Sequence, residues 1–283
     1  MISVILYGRN DSHGYNLHKR AAISLNCIGE VLSEPGDEII FVDYNTPNDL
    51  PTFIEAIYDT LTPRARSRLR VLRVRPELHG RYQSRTHLTA LEPHSRNIAI
   101  RRSNSQNRWV LSTNTDMIFV PSEGATDLNS VVRDLPDGHY VLPRFELPEP
   151  LWESFPRQDP LAVITACERL GKTLHLNEVA ASHTYMGFDS PGDFQLIPRE
   201  MLFDIFGFDE RMIHGWHADS NLCKRLFIVY GATRGLERRL KGYHCDHTRV
   251  ATLAHRLDIK LENDLGEFVY DVKDPYARQQ ASS

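Results

Sequence analysis

The chain has 283 residues, 41% hydrophobic and 25% charged, an ordinary globular balance that excludes a disordered class and can bury the core of one large domain. A formal net charge of −4 disfavours a general nucleic-acid binder, which wants a basic face for phosphates, and no apolar run approaches the roughly 18 to 20 residues of a membrane helix. The opening residues reach the polar Gly8, Arg9, Asn10 and Asp11 too soon for a signal peptide, so a cytoplasmic protein is expected, with peripheral attachment to a membrane left open.

Residues 2–7 are an apolar run with β-branched members and read as a buried first strand. After Asn16, the positions Leu17, Ala21, Leu25, Ile28 and Leu32 fall on one face of a helix, which Pro35 and Gly36 end. Residues 38–42 repeat the buried-strand pattern and terminate in Asp43. Pro51 is expected to open a second helix, with Phe53, Ile54, Ile57 and Leu61 as its apolar side. Residues 69–74 alternate apolar positions with Arg, giving a third strand. Strand, helix, strand, helix, strand implies parallel pairing through right-handed crossovers, so the N-terminal half reads as a doubly wound α/β unit. The polar connection over 76–92 leads into a helix carrying Arg96 and Asn97; His79, His87 and His94 read as surface residues.

Trp109, Val110 and Leu111 then form a short strand, broken by the polar run from Ser112 through Thr113, Asn114 and Thr115 to Asp116 before a second apolar run over 117–121. The plain reading is a turn in which Asn, Thr and Asp bond their own backbone. The flanking apolar runs instead anchor Asp116 near the core, and a carboxylate just past a buried strand stands where open α/β sheets put their ligands. A carboxylate held there needs a cation or donors.

A short helix is expected over 128–135 and a strand over 140–142. Residues 143–160, with five prolines plus Trp152 and Phe155, read as an irregular excursion or lid, with Asp159 or Pro160 opening a helix through Leu170. Farther on come Asp193, then Gly207, Phe208, Asp209 and Glu210, then Asp219. Leu222, Leu226 and Val229 make a helical stripe behind Asp219, which with Ser220 is a natural N-cap, and Gly231 is a natural stop. His244, Cys245, Asp246 and His247 put four potential ligands into four residues; a polar turn is the plain alternative. Cys27, Cys167, Cys223 and Cys245 lack a Cys-x-x-Cys pair and imply neither a disulfide framework nor a thiolate zinc site.

Taken in order over about residues 2–247, these segments resemble a nucleotide-sugar-dependent glycosyltransferase of the GT-A fold, closest to the family 2 type. Val4 and Ile5 leading to Tyr7, Gly8, Arg9 and Asn10 resemble the opening strand. Glu38 to Asp43 with Tyr44, Asn45 and Thr46 resemble the second, whose terminal Asp contacts base or ribose. Ser95, Arg96 and Asn97 resemble an Ala-Arg-Asn helix, and Thr113, Asn114, Thr115 and Asp116 fall where an Asp-x-Asp metal motif is expected. The segments at Gly207 to Glu210 and at Asp219 to Leu226 resemble Gly-Phe-Asp-Glu and Glu-Asp-x-Asp-Leu-Cys-x-Arg-Leu. Two departures stand out: Asn114 replaces the first Asp of the metal motif, and Ala218 and Asn221 replace acidic neighbours of Asp219.

The resemblance implies an α/β fold of GT-A type, a doubly wound mixed sheet in one domain over 1–250. It has a Rossmann-like nucleotide-sugar half over 1–121, an acceptor-side half over 122–250 and a C-terminal extension over 251–283. A divalent metal, Mn²⁺ with Mg²⁺ as the alternative, is expected on Asp116 and a late His; His244 and His247 are both available and His247 is favoured. Tyr7, Gly8, Arg9, Asp43, Arg96, Asn97, Asn114, Thr115, Asp193 and Trp216 are expected to contact the nucleotide sugar. Tyr185, Phe188 and Trp152 are further candidates for stacking on a sugar. Asp219 matches the general base of an inverting transfer to a hydroxyl on a glycan or glycolipid precursor, as in polysaccharide biosynthesis; Asp193 and Glu210 are its rivals. A retaining transferase, a sugar nucleotidyltransferase and a non-catalytic nucleotide- or carbohydrate-binding module are the alternatives.

Overall fold

Strands β1 (Ile2–Gly8) and β2 (Glu38–Tyr44) are buried almost end to end, as unbroken apolar runs demand of strands covered on both faces. The structure, a computed structural model, describes residues 1–11, 16–122, 124–170, 190, 192–215 and 217–247. In the larger sheet β3 (Leu69–Val74), β2, β1 and β4 (Trp109–Thr113) lie side by side and parallel, with Gly8 opposite Asp43. This is the expected doubly wound half. Strand β1 has β2 on one side and β4 on the other, so the strand order reverses between β1 and β4. That reversal opens a crevice beyond the C-terminal ends of the two strands, at Gly8 and Thr113.

Helix α1 (Leu17–Val31) covers one face of the sheet, joined by α2 (Phe53–Ile57) and α3 (Pro63–Arg68), each a short piece. Pro51 lies outside α2. Thr52 is the N-cap, its hydroxyl accepting from the Glu55 amide while the Glu55 carboxylate accepts from the Thr52 amide, a reciprocal pairing that sets the helix start more firmly than a proline two residues earlier. Past the short helix α4 (Pro76–His79), α5 (Glu92–Arg102) lies on the opposite face. His79 is not the expected surface residue. It is buried edge-on against the Tyr44 ring at 5.5 Å, with Nδ1 3.4 Å from the Tyr44 hydroxyl.

β5 (Met117–Pro121) leaves the large sheet and starts a second one. Helix α6 (Leu128–Val132) and the two-residue strand β6 (Tyr140–Val141) follow. The excursion over 143–160 is only partly irregular: it holds strand β7 (Arg144–Leu147) and helix α7 (Glu149–Glu153), with Trp152 fully buried and Phe155 close behind, while residues 156–159 are exposed and irregular. The prolines obstruct neither element. Pro143 precedes the strand, Pro148 is the helix N-cap and Pro150 lies in the first turn, where no backbone N–H is needed. Helix α8 (Pro160–Leu170) begins where expected.

β8 (Phe194–Pro198) returns antiparallel to β4, with α9 (Arg199–Asp204) behind it. Helix α10 (Ala218–Tyr230) leads through β9 (Arg234–Gly235) to β10 (Leu240–Cys245). Strand β10 is the middle of the second sheet, antiparallel to β5 and parallel to β7, which aligns His244 with Met117 on one side and with Glu146 on the other. All four cysteines are free and buried, and among the described residues no helix is long and apolar enough to cross a membrane.

His139, just before β6, is 2% exposed and neither ring nitrogen meets a partner. Burial pushes its pKa down to about 3. The unfolded chain binds this proton near pH 6.5, so folding loses stability as pH falls from about 6.5 towards about 3. The variant His139→Phe should therefore lose less stability than the natural chain between pH 7 and pH 4 in urea melts; identical pH dependence would contradict this.

Candidate functional site

The turn between β4 and β5 carries the candidate metal residues. It leaves the head of a buried strand, and the first residue of β5 is Met117, so Asp116 is pinned from both sides and is only 7% exposed. The backbone of β10 closes on it, with the Cys245 amide donating to the Asp116 carbonyl at 3.0 Å. Because His244 is the next residue back along β10, its ring arrives beside the Asp116 side chain. His244 Nε2 lies 3.4 Å and His247 Nε2 3.7 Å from Asp116 Oδ2. The three ligand atoms fall within 4.8 Å of one another. Of the two histidines, His244 is the nearer and the more buried, whereas His247 was the one favoured.

Glu146 completes this arrangement. Its register position on β7 sets its carboxylate 2.6 Å from His244 Nδ1, so Nδ1 donates outward and Nε2 is turned to Asp116. Burial opposes charge on His244, yet Asp116 and the Glu146 hydrogen bond push its pKa up to about 10. Burial likewise raises Glu146, but the His244 hydrogen bond and Arg144 outweigh it and bring its carboxyl down to about 2. For Asp116, burial is outweighed by His244, Arg20 and His247, which hold the carboxyl well below the usual range. The His247 loop rests on the core: the Trp152 indole N–H donates to the Asp246 carbonyl at 2.7 Å. Trp152 is thus a support for the loop, its ring fully buried and closed to any sugar.

One carboxylate and two imidazoles, the nearer imidazole aimed by a second carboxylate, form a donor set that suits Mn²⁺. Asn114 does not join it. The Asn114 amide oxygen accepts from Arg96 Nη2 at 2.9 Å and its NH₂ donates to Asp193 Oδ1 at 2.8 Å, making it a bridge to the donor side. Thr115 sits half-buried in the same turn. Asp193 is buried, ion-paired with Arg144, and its carbonyl accepts from the Thr113 hydroxyl at 2.6 Å. Arg144 also holds Glu146, at 2.8 Å, and so ties Asp193 to the support of His244.

The residues expected on the nucleotide side stand at the C-terminal ends of β1 and β2. Gly8 is required by close packing, since a Cβ there would stand 2.9 Å from the Phe41 ring. Arg9 donates to the Asn45 carbonyl at 2.8 Å and the Asn10 amide to the Thr46 hydroxyl at 2.9 Å, so the loops after β1 and β2 are laced together. Asp43 is fully buried. Its Oδ1 accepts from Thr46 and from the Phe53 amide, while Oδ2 has no hydrogen-bond partner and lies 3.9 Å from Arg73 Nε. The Arg96 guanidinium is 5.1 Å from the centre of the Tyr7 ring and donates to the Thr113 carbonyl and to Glu92, so it braces the metal-motif turn. Asn97 grips the Phe208 backbone at both its amide and its carbonyl and also reaches Glu210. Glu210, engaged by Asn97 and Arg101, holds the loop at Gly207, where a Cβ would collide with the Asn97 side chain.

Asp219 lies in the first turn of α10 but is not its N-cap; His217, in the left-handed conformation, is. The Asp219 carboxylate accepts from the Gly192 amide at 2.7 Å and from the Ser220 amide at 2.8 Å, which joins α10 to the segment bearing Asp193. Trp216, Tyr185 and Phe188 lie outside the described residues. Sequence reasoning missed Arg20, Arg144 and Glu146. Signals existed: Arg20 shares a helical stripe with Ser24, Cys27 and Val31, and Arg144 and Glu146 alternate with Phe145 and Leu147.

Comparison with known proteins bears on the fold. No family model and no curated protein matches the sequence. Among solved structures, the chain is similar to the mannosyltransferase PcManGT from Pyrobaculum calidifontis in complex with GDP-Man and Mn²⁺. The TM-score is 0.58 at 14% identity, covering 96% of this chain and 64% of that one. It is also similar to GalNAc-T7 with UDP, GalNAc and Mn²⁺, with a TM-score of 0.55 at 10% identity, covering 98% of this chain and 52% of that one. The chain thus spans about half to two thirds of the length of these structures. With its parallel β3-β2-β1-β4 half, antiparallel β8 and second sheet carrying the His ligand candidates, it has the GT-A glycosyltransferase fold.

Proposed function

We propose that the protein is a glycosyltransferase that moves a sugar from a nucleotide-diphosphate sugar to a hydroxyl of a glycan or glycolipid precursor in the cytoplasm. The observation that carries this is the Asp116, His244 and His247 cluster at the mouth of the strand-order reversal in a GT-A fold. Residues 1–121 serve the donor and residues 122–250 the acceptor. The unpartnered Oδ2 of buried Asp43 supports a hydrogen bond to base or ribose, with the Gly8 to Asp11 loop beside it. Both neighbouring structures were determined with Mn²⁺ and a nucleotide or nucleotide sugar.

In this reading Asp116, His244 and His247 would hold a divalent cation, and the chemistry such an ion would supply there is Lewis-acid neutralisation of a leaving diphosphate. Asp193, oriented by Arg144 and Asn114, contacts the donor sugar. Asp219 takes the proton of the acceptor hydroxyl as that oxygen attacks the anomeric carbon, giving inversion. Two backbone N–H groups and a helix N-terminus face its carboxylate, surroundings that suit the negative charge of a base.

Asp116→Asn keeps an acceptor for Arg20 while removing the charge. Thermal shift with GDP- and UDP-sugars should show Mn²⁺-dependent stabilisation in the natural chain and none in this variant. Full turnover in excess chelator would contradict the metal's role. For Asp219→Asn, turnover at saturating donor and acceptor should fall by ~10²- to 10⁴-fold with donor affinity unchanged. Its amide retains one of the two acceptor oxygens, so stability should drop by only about 1 kcal/mol. Near-natural turnover would remove Asp219 from the mechanism.

A further inference from the structure

Arg20 is a cation built into the metal cluster from an unexpected direction. It lies one turn into α1, 1% exposed, and Nη1 donates to Asp116 Oδ2 at 2.5 Å. That oxygen is the one both imidazoles approach. A carboxylate oxygen that already holds a guanidinium is a weaker ligand for a second cation, and the fixed positive charge repels a dication at close range. The local charge balance points the same way. The first acidic position of the metal motif is Asn114, whose oxygen is occupied by Arg96, and the nearby carboxylates Glu146 and Asp193 are both paired with Arg144. Asp116 is therefore the one carboxylate among the three candidate ligands, and Arg20 opposes its charge, while Glu146 and Asp193 share the single guanidinium of Arg144. A dication entering alone finds its own ligands neutralised, whereas one entering with a diphosphate brings negative charge with it.

We propose that Arg20 is a positioning residue that makes metal capture conditional on the nucleotide diphosphate. It holds the Asp116 carboxylate in place, weakens binding of the bare ion, and lends its charge to the diphosphate when both arrive. The inference rests on the glycosyltransferase reading for the identity of the anion, but not for the effect on the bare ion.

The test is Mn²⁺ titration followed by electron paramagnetic resonance, alone and with GDP or UDP, on the natural chain, Arg20→Met and Arg20→Lys, with folding checked by circular dichroism. The natural chain should bind Mn²⁺ about tenfold or more tightly with one of the diphosphates than without, within the usual range of coupling between sites. Arg20→Met should bind the bare ion about tenfold more tightly and lose most of the coupling, while Arg20→Lys, which keeps the charge, should retain it. Equal Mn²⁺ affinity of the natural chain with and without a diphosphate that itself binds would overturn the proposal, and so would folded Arg20→Met that binds the bare ion no better than the natural chain. If Arg20→Met does not fold, the natural chain and Arg20→Lys decide through the same coupling factor. Failure of the glycosyltransferase reading looks different: neither diphosphate binds, yet Arg20→Met still gains affinity for the bare ion.

Discussion

A carboxylate taken out of water must be met by positive charge or by donors, and the head of this fold is arranged around meeting one. Asp116 is drawn into the interior because β4 and β5 are both buried and the turn between them is short. Two segments distant in sequence then converge on a single oxygen: α1 with Arg20, and β10 with the residues just after it, carrying His244 and His247. Each is delivered by backbone pairing or helix packing against strands, which explains how long, flexible side chains come to share so small a volume.

The second sheet does most of this positioning. Its middle strand carries the histidine and its edge strand carries Glu146, paired residue for residue, so the imidazole's orientation follows from strand register. Arg144, two residues before Glu146 on the same face, extends the network to Asp193, and Asn114 links Asp193 to Arg96 and the bracing of the turn. Asp193, the Glu146–His244 pair and the turn are coupled through shared hydrogen bonds and ion pairs, so single substitutions here should not be additive. Buried groups of this kind are well specified only when each partner is satisfied. Oδ2 of Asp43, which has no hydrogen bond and only the Arg73 guanidinium at 3.9 Å, departs from that rule.

Much of this was legible in the sequence where periodicity is strong. The runs at 2–7 and 38–42 are unbroken because both strand faces are covered, and the apolar positions of the first helix keep their spacing from Leu17 to Leu32. Asp116 and the late histidines stood out because polar ligand types interrupt apolar runs. The proline density of 143–160 suggests an irregular excursion, whereas Pro143, Pro148, Pro150 and Pro160 fall where a strand or helix begins and Pro156 alone stands in irregular chain. Arg20 was overlooked because a helix stripe is read by its apolar members, and a buried arginine becomes visible only with the carboxylate it serves. His79 was misjudged because imidazole is polar by composition but packs as a ring. The choice between His244 and His247 could not come from spacing, since it depends on the strand register that puts Glu146 beside the first.

Whether this cluster is a metal centre can be seen by anomalous scattering at the manganese edge, from crystals grown with Mn²⁺ and GDP or UDP. One peak is expected, coordinated by Asp116 and both His244 and His247, with Glu146 still on the far nitrogen of His244. A peak held elsewhere, with those three side chains unliganded and Arg20 still closed on Asp116, would contradict that assignment.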